Sequence, residues 1–145
     1  MPQKVILNVV TREDVSRIKT WLDDEEVSET WFGRYSYGEP AHLGYHPQEM
    51  EKASDEEFQR VFADPEHKTL SIYAESEHIG EIHIAIEESL GDGQLSILVG
   101  RKDMWHKGFG TAAAQAALAL AFGEFELLRV WVDIPEYNAA AKILF

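Results

Sequence analysis

The stretch "QLSILVGRKDMWHKGFGTAAAQAALALAF", residues 94–122, joins an apolar run to an alanine-rich run through two closely spaced glycines. The apolar run predicts a buried strand over 94–100, and the alanine-rich run predicts a long helix ending near Phe122. A further apolar run, "LLRVWVDI" at 127–134, predicts another strand. Strand, long helix and strand in this order imply a parallel βαβ unit with a right-handed crossover.

Gly108 and Gly110 open the predicted helix. Flexible residues weaken a helix, so their use here indicates that the backbone must come close to another molecule. The N-terminus of a helix offers unpaired N–H groups and the positive end of the helix dipole, which favour an anion. The stretch therefore predicts an anion-binding site, with an ordinary loop-to-helix turn as the alternative.

The rest of the chain predicts further strands and helices with few irregular stretches. The predicted strands lie at 4–10, 68–76 and 78–88, and the predicted helices at 11–22 and 47–64. Tight turns are expected near Glu77 and His78 and at "GDG", residues 91–93. The segment 28–50 is rich in aromatic residues, Gly, Pro and His and shows no clear period, which is typical of a binding loop.

Two of these elements carry more specific signals. Thr11 is expected to cap the first helix, with Asp14 three residues later in the capping-box position. In the strand at 78–88, alternation places Ile82, Ile84 and Ile86 on one face. Glu81, His83 and Ala85 fall on the other face.

Composition limits the classes of function. The 145 residues suit one domain, 1–145, and a 45% hydrophobic fraction is enough for a core. A formal net charge of −13 disfavours nucleic acid and anionic membranes as partners and favours cationic ones. The chain has no cysteine and shows neither a signal peptide nor a membrane-spanning run, so we expect a cytoplasmic protein.

A dinucleotide-binding motif is one interpretation of the glycines. "GFGTAA" at 108–113 satisfies G-x-G-x-x-G/A, and Asp133 follows at about the expected distance of twenty residues. The seven residues "RKDMWHK", however, separate the glycines from the preceding strand, and only 135–145 remain for further βαβ units. This context disfavours a nucleotide-dependent oxidoreductase.

The stretch from 94 to 115 resembles the acetyl-CoA-binding core of the GNAT superfamily of N-acetyltransferases, nearest to its Rim-type and polyamine-acetylating branch. The family signature R/Q-x-x-G-x-G/A falls on residues 105–110, with Trp105 in place of the first residue. "NAAAKILF" at 138–145 resembles the family's N-x-x-A-x-x-L-Y. The resemblance covers 70–145 well and 5–66 only in layout.

The resemblance implies an α/β fold with a mixed, mostly antiparallel sheet flanked by helices and splayed where the strands at 94 and 127 run parallel. It also implies acetyl-CoA as co-substrate. The main chain at 98–100 would pair with the pantetheine arm and donate an N–H to the thioester carbonyl, and backbone N–H groups near 106–111 would hold the pyrophosphate. The implied cofactor-binding residues are Leu98, Val99, Gly100, Trp105, His106, Lys107, Gly108, Phe109, Gly110, Thr111 and Asn138.

Two usual catalytic positions of the family are altered here. Phe145 stands where many members have a Tyr that protonates the thiolate, and Gln94 stands where some have a Glu. Glu81 and His83 are therefore the candidate catalytic residues, with the acidic cluster of Glu25, Glu26 and Glu29, or a base acting through water, as alternatives. A purely structural role for His83 is a further alternative.

The acceptor is expected to be a small cationic amine such as a polyamine or an aminoglycoside. Glu29, Trp31 and Tyr35 are expected to form an acidic and aromatic wall for it, unless this loop packs its aromatic rings inward. No histidine pair has metal-ligand spacing, so no metal is expected. A protein N-terminus is the alternative acceptor, and a non-catalytic acyl-CoA-binding module is the alternative of another class.

Family members continue past the last motif with two more strands, whereas this sequence stops at Phe145. The fold is therefore expected to be incomplete at its C-terminal end, with an open edge along the strand at 127–134. Such an edge predicts either a fragment or a homodimer that covers it.

Overall fold

The structure, a computed structural model, describes residues 3–30, 47–105 and 107–131, without the side chains of 28–30. The strands are β1 (Ile6–Val9), β2 (His67–Ala74), β3 (Glu77–Glu87), β4 (Asp92–Val99) and β5 (Arg129–Trp131). The helices are α1 (Arg12–Asp23), α2 (Glu25–Thr30), α3 (Pro47–Lys52), α4 (Asp55–Phe62) and α5 (Phe109–Phe122). Within these ranges no helix is long and apolar enough to cross a membrane.

The strands form one sheet in the order β1-β2-β3-β4-β5. Each neighbouring pair is antiparallel except β4 and β5, which run parallel with α5 as their connection. This arrangement confirms the predicted mixed α/β fold and its single parallel βαβ unit. The predicted residues 132–134 of the last strand lie outside the described residues, and Leu127 and Leu128 precede β5.

Each face of the sheet packs against helices. Because α5 carries small residues, its backbone approaches the sheet closely and buries the isoleucines of β3. This core contains Ile72, Ile82, Ile84, Leu95, Ile97, Ala113, Ala117 and Ala121. The second core, between the sheet and α1 to α4, contains Val10, Val15, Ile18, Val27, Met50 and Leu98.

The predicted alternation of β3 is confirmed from Gly80 onward. Ile82 and Ile84 are fully buried in the core with α5. Glu81 and His83 project from the opposite face, where they are also buried. Before Gly80 the register shifts, because Ile72 pairs with Gly80 while Tyr73 pairs with His78. The extra residue of this β-bulge is Ile79, which joins the α5 core as well.

The tight turn between β2 and β3 lies at Glu75 and Ser76, not near Glu77 and His78 as predicted. Both turn residues have left-handed backbones, with φ of 51° and 68°. Two successive positive φ values match the twist of a two-residue hairpin, so Glu77 and His78 become the first residues of β3. The second turn also lies earlier than predicted, since β4 already begins at Asp92.

The predicted helix at 47–64 is wrong in its continuity. Ser54 interrupts it and caps α4 by accepting a hydrogen bond from the Glu57 N–H at 3.1 Å. The guanidinium of Arg12 donates to the Met50 carbonyl at 3.0 Å and to the Ala53 carbonyl, satisfying acceptors at the end of α3. In contrast, the predicted capping box of Thr11 and Asp14 on α1 is confirmed.

Asp14 links α1 to the sheet through a buried set of hydrogen bonds. Its carboxylate accepts from the Thr11 N–H at 3.0 Å, Arg17 at 2.8 Å, Ser71 at 2.8 Å and the Tyr73 hydroxyl. Burial raises the pKa of Asp14, but the hydrogen bonds from Tyr73, Thr11 and Ser71 outweigh it, so the pKa lies below its ordinary value. The ionised carboxylate therefore helps to fix α1 on the sheet.

His78 is buried next to this carboxylate in its neutral form. Its Nδ1 accepts from Arg17 Nε at 3.0 Å, and its Nε2 donates to the Gly80 carbonyl at 2.9 Å. Burial lowers the pKa of His78 to about 4, although Asp14 acts in the opposite direction. Nearby Arg17 adds to the lowering.

We expect His78 to make the protein less stable as the pH falls from 6.5 toward 4. The unfolded histidine binds its proton near 6.5, whereas the folded one resists it until about 4. The difference is worth up to about 3 kcal/mol of unfolding free energy. Thermal melts of the wild type and of His78→Gln, which cannot titrate, test this between pH 7 and 4. A variant that loses stability over this range as steeply as the wild type would contradict it.

Candidate active site

A polar cluster occupies the centre of the sheet face that lies opposite α5. Register places Thr69, His83 and Ser96 side by side on β2, β3 and β4. All three are buried, with Ser96 fully so. The cluster consists of His67, Thr69, Glu81, His83, Gln94 and Ser96. Buried polar groups are costly unless they are hydrogen-bonded, and such groups gathered in one place are typical of functional sites, so we treat the cluster as the candidate active site.

Two histidines of this cluster contact each other. His83 Nε2 and His67 Nδ1 lie 2.9 Å apart, within hydrogen-bonding distance. The two rings lie edge to edge in nearly the same plane, with centroids 5.1 Å apart and planes 7° apart, which is the geometry of a hydrogen bond between two imidazoles. His83 is 1% exposed, whereas His67 at the start of β2 is partly exposed. The pair thus connects the interior of the cluster to the surface.

The parallel strands β4 and β5 pair over a short distance only. Their partners are Asp92 with Arg129, Gly93 with Val130 and Gln94 with Trp131. The bidentate contact of Arg129 with Asp92, at 2.9 and 3.0 Å, holds this end together. Among the described residues, β4 has only β3 as strand partner from Leu95 to Val99. This is the segment that the family resemblance assigns to the pantetheine arm.

Gly100 ends β4 at a point of close packing. A Cβ there would lie 2.1 Å from the Trp21 ring, so only glycine fits. Its N–H donates to the Ile79 carbonyl at 2.8 Å, which ties the strand end to the β-bulge. The Val99 carbonyl accepts from the Trp105 indole at 2.8 Å. Trp105 therefore fixes the loop after β4. Its place at the start of the family signature predicted only a contact with the cofactor.

Ion pairs hold the start of the loop that leads from β4 to α5. Arg101 contacts Glu77 at 2.6 Å, and Lys102 contacts Asp24 at 2.7 Å. The hydrogen bond from Lys102 lowers the pKa of Asp24. Lys107, nearer the helix, is exposed and forms no ion pair with the described side chains. Its charge is therefore available to a ligand at the start of α5.

Gly108 caps α5 with a backbone that other residues adopt only under strain, at φ 90° and ψ 2°. The first backbone hydrogen bond of the helix runs from the Ala112 N–H to the Gly108 carbonyl at 3.0 Å. The N–H groups of Phe109, Gly110 and Thr111 thus precede the helical hydrogen-bond ladder, and no side chain caps them. These donors, with Lys107 beside them, match what a pyrophosphate requires.

The sequence-predicted site residues fall into three groups. Glu81 and His83 lie together in the polar cluster, and 98–100 and 107–111 form the strand end and helix start described above. The Phe109 side chain is buried in the α5 core, so only its backbone is placed to meet a ligand. His106, Asn138, Trp31, Tyr35 and Phe145 lie outside the described residues, as does the side chain of Glu29 on α2.

Sequence reasoning missed helix α2 and four members of the polar cluster. The cluster members are His67, Thr69, Ser96 and Gln94, the last considered only as a missing base. A signal existed, since β2 and β4 place polar residues at alternate positions just as β3 does. For α2, the acidic residues Glu25 and Glu26 in the first turn are typical of a helix start.

Residues 4–144 match the family model described as an acetyltransferase (GNAT) domain. The chain belongs to this family. Its class is therefore that of the acetyl-CoA-dependent N-acetyltransferases, and the resemblance seen in residues 94–115 is confirmed. None of the curated proteins compared with the chain matches it.

Solved structures share the fold at low sequence identity. A spermidine N-acetyltransferase from Vibrio cholerae in complex with CoA and spermine has a TM-score of 0.76 and 17% identity, over 97% of this chain and 77% of the other. A Vibrio cholerae protein provisionally assigned as a ribosomal-protein-serine acetyltransferase has a TM-score of 0.67 and 16% identity, over 99% and 78%. A dodecameric form of the spermidine enzyme gives a TM-score of 0.70 and 19% identity, over 97% and 75%.

Within 3–30, 47–105 and 107–131, no group of three or more His, Asp or Glu side chains could hold a metal ion. The adjacent His67 and His83 nitrogens, 2.9 Å apart, are at a distance that allows a proton to be shared between them.

Proposed function

We propose that this GNAT domain, taken as a single domain over 1–145, transfers an acetyl group from acetyl-CoA to the primary amine of a small cationic molecule. A polyamine or an aminoglycoside is the proposed acceptor. One observation carries the proposal. Buried Glu81 and His83 lie on the same rungs of the sheet as Leu98 and Ser96 of β4, the strand that leads to the helix start.

The residues of the strand end and the helix start suit coenzyme A. The backbone of Leu98 and Val99 would pair with the pantetheine arm, and an N–H in this segment would polarise the thioester carbonyl. The N–H groups of Phe109, Gly110 and Thr111 would hold the pyrophosphate, with Lys107 as the nearby cation. When bound, the co-substrate supplies the activated acetyl group.

The acidic and basic groups of the polar cluster supply what an amine acceptor needs. An alkylamine is mostly protonated at neutral pH and must lose a proton before its nitrogen can attack. We propose that the Glu81 carboxylate attracts the ammonium group and that His83 accepts its proton, since imidazole titrates near neutrality. A net charge of −13 further favours a cationic acceptor.

Acetyl-CoA is expected to raise the melting temperature by several degrees, because a ligand at a hundred times its Kd adds about 2.7 kcal/mol of stability. NADH at the same concentration is expected to give no shift.

Lys107→Ala should weaken acetyl-CoA binding by about fivefold, because one partly exposed ion pair contributes about 1 kcal/mol of binding free energy. Lys52→Ala, which removes an exposed cation from α3, is the matched control. A shift with NADH alone would overturn the assignment of the glycine loop.

A panel of acceptors with a free-thiol assay then distinguishes the substrate classes. Spermidine and kanamycin represent small cationic amines, and a peptide with an N-terminal serine represents a protein N-terminus. The similarity to spermidine N-acetyltransferases supports the first class. The similarity to the ribosomal-protein-serine acetyltransferase makes a protein N-terminus, represented by the peptide, the alternative acceptor. Turnover of the peptide alone would move the proposal to the protein N-terminal class.

We also propose a cytoplasmic location and self-association of the chain. The absence of cysteine agrees with a reducing compartment. The predicted contact between copies is the edge of the strand at 127–134, of which Arg129–Trp131 are described as β5. Light scattering at high protein concentration tests the association, and a monomeric mass would contradict it.

A further inference from the structure

We propose that His67 and His83 form a proton relay, in which His67 acts through His83 and connects the buried site to the solvent. The proposal deepens the proposed function and rests on it. His67 lies outside the family signature, and the sequence alone assigns it no catalytic or binding role. It is a positioning residue in this scheme, because only His83 would meet the amine.

The geometry of the pair supports proton transfer. The distance of 2.9 Å between His83 Nε2 and His67 Nδ1 is that of an N–H···N hydrogen bond. The ring planes differ by only 7°, so the His83 Nε2–H group is aligned with the lone pair of His67 Nδ1. The backbone of His67 is fixed as well, since its N–H donates to the Asp64 carbonyl at 3.3 Å. Only one of the two rings, that of His83, is fully buried.

The surroundings of His83 provide a second, independent observation. Ser96 Oγ and Gln94 Nε2 are buried, and neither has a hydrogen-bond partner among the described residues. Ser96 is the cross-strand neighbour of His83 on β4. Buried polar atoms without a partner are rare in folded proteins and point to a ligand at that place. The relay therefore begins where the sheet face offers polar contacts to a bound molecule.

One turnover moves a proton through the pair in each direction. The ammonium proton passes to His83 Nδ1, the His83 Nε2 proton passes to His67 Nδ1, and the His67 Nε2 proton leaves to water. The amine nitrogen then forms the N–C bond as the C–S bond breaks, and its second proton leaves to water. The thiolate takes its proton from His83 Nδ1 while the pair is reprotonated from water in reverse order. Both rings return to their starting tautomers, and the net reaction releases one proton.

The relay also accounts for the altered catalytic positions. Gln94 cannot act as a base, because its amide does not ionise in the physiological range. A group that both removes and returns a proton serves as base and acid in turn. A buried histidine can do so only if its protons exchange with solvent. His67 provides that exchange.

The first test compares turnover of acetyl-CoA and spermidine by the wild type, His67→Gln and His67→Phe. Glutamine keeps a hydrogen-bonding group, and phenylalanine keeps a planar ring of similar size, so the two variants preserve different parts of the histidine. We expect kcat to fall by about tenfold or more in both, within the range for a positioned proton-transfer group. The KM for acetyl-CoA should stay unchanged. Added imidazole should restore kcat, and Glu66→Gln, an exposed neighbour, should behave as wild type.

The second test needs no activity. Nitrogen-15 NMR of the wild type should show a scalar coupling between His83 Nε2 and His67 Nδ1 across the hydrogen bond, and His67→Gln should lose it. Absence of this coupling in the wild type overturns the relay. So does wild-type kcat in both variants, or a loss of kcat that imidazole does not restore. If the wild type neither binds acetyl-CoA nor turns over any amine, the proposed function fails and the relay fails with it.

Discussion

Gly80→Ala is expected to lower the melting temperature by about 10 °C, which corresponds to roughly 3 kcal/mol for a domain of this size. A Cβ on Gly80 would lie 2.0 Å from the Leu98 carbonyl oxygen and 3.1 Å from the Val99 Cα. These are backbone atoms of the neighbouring strand, so no side-chain rotation can relieve the clash. The strands β3 and β4 would have to separate where the co-substrate is proposed to bind. Differential scanning calorimetry measures the change.

Gly93→Ala is the matched comparison on β4. Its Cβ would also be crowded, at 2.7 Å from Leu127 Cδ1 and 3.0 Å from Ile84 Cγ2. These contacts are the ends of side chains that can shift, so we expect a smaller loss than at Gly80. A loss at Gly93 as large as that at Gly80 would contradict the argument that backbone contact sets the cost.

The order of the strands and the parallel unit could be predicted because local signals are strong in this chain. The alanine-rich helix between two apolar runs predicts that the two strands are parallel neighbours joined by a crossover. The alternation of β3 predicts which of its residues lie on each face of the sheet. The β-bulge at Ile79 could not be predicted, since a shift of register depends on the partner strand and not on local pattern. The break at Ser54 had a local signal that was overlooked, since a serine with Glu57 three residues later is typical of a helix start. The contact of Arg12 with the end of α3 could not be predicted, because Arg12 lies far away in sequence.

The candidate site could be predicted in part, from the glycine motif and from the alternation that places Glu81 and His83 on one face of β3. The glycines at the start of α5 carry their own signal, because the positive φ of Gly108 requires glycine. The polar cluster, in contrast, is assembled from three strands, and no single strand shows it. His67 looks like any histidine before a strand until the register brings it to His83. Contacts across strands thus decide which polar residues work together.

Glu81→Gln and His83→Gln are expected to affect different kinetic constants. Glu81 is fully buried, and a carboxylate there would attract the ammonium group, so its loss should raise the KM for spermidine by about tenfold with a small change in kcat. His83 is proposed to accept the proton, so its loss should lower kcat by about 100-fold with little change in the KM for acetyl-CoA. Steady-state kinetics with both substrates measures the two effects.

The control for this pair is Glu87→Gln, which removes a carboxylate from the exposed end of the same strand. It should leave both constants unchanged. If Glu81→Gln instead lowers kcat and His83→Gln raises only the KM for spermidine, the carboxylate is the base and the imidazole binds the amine. The two assignments are separable because only a proton acceptor contributes in the transition state alone, whereas a binding contact acts in the ground state as well. The kcat and KM of two single variants therefore determine which side chain of β3 removes the proton.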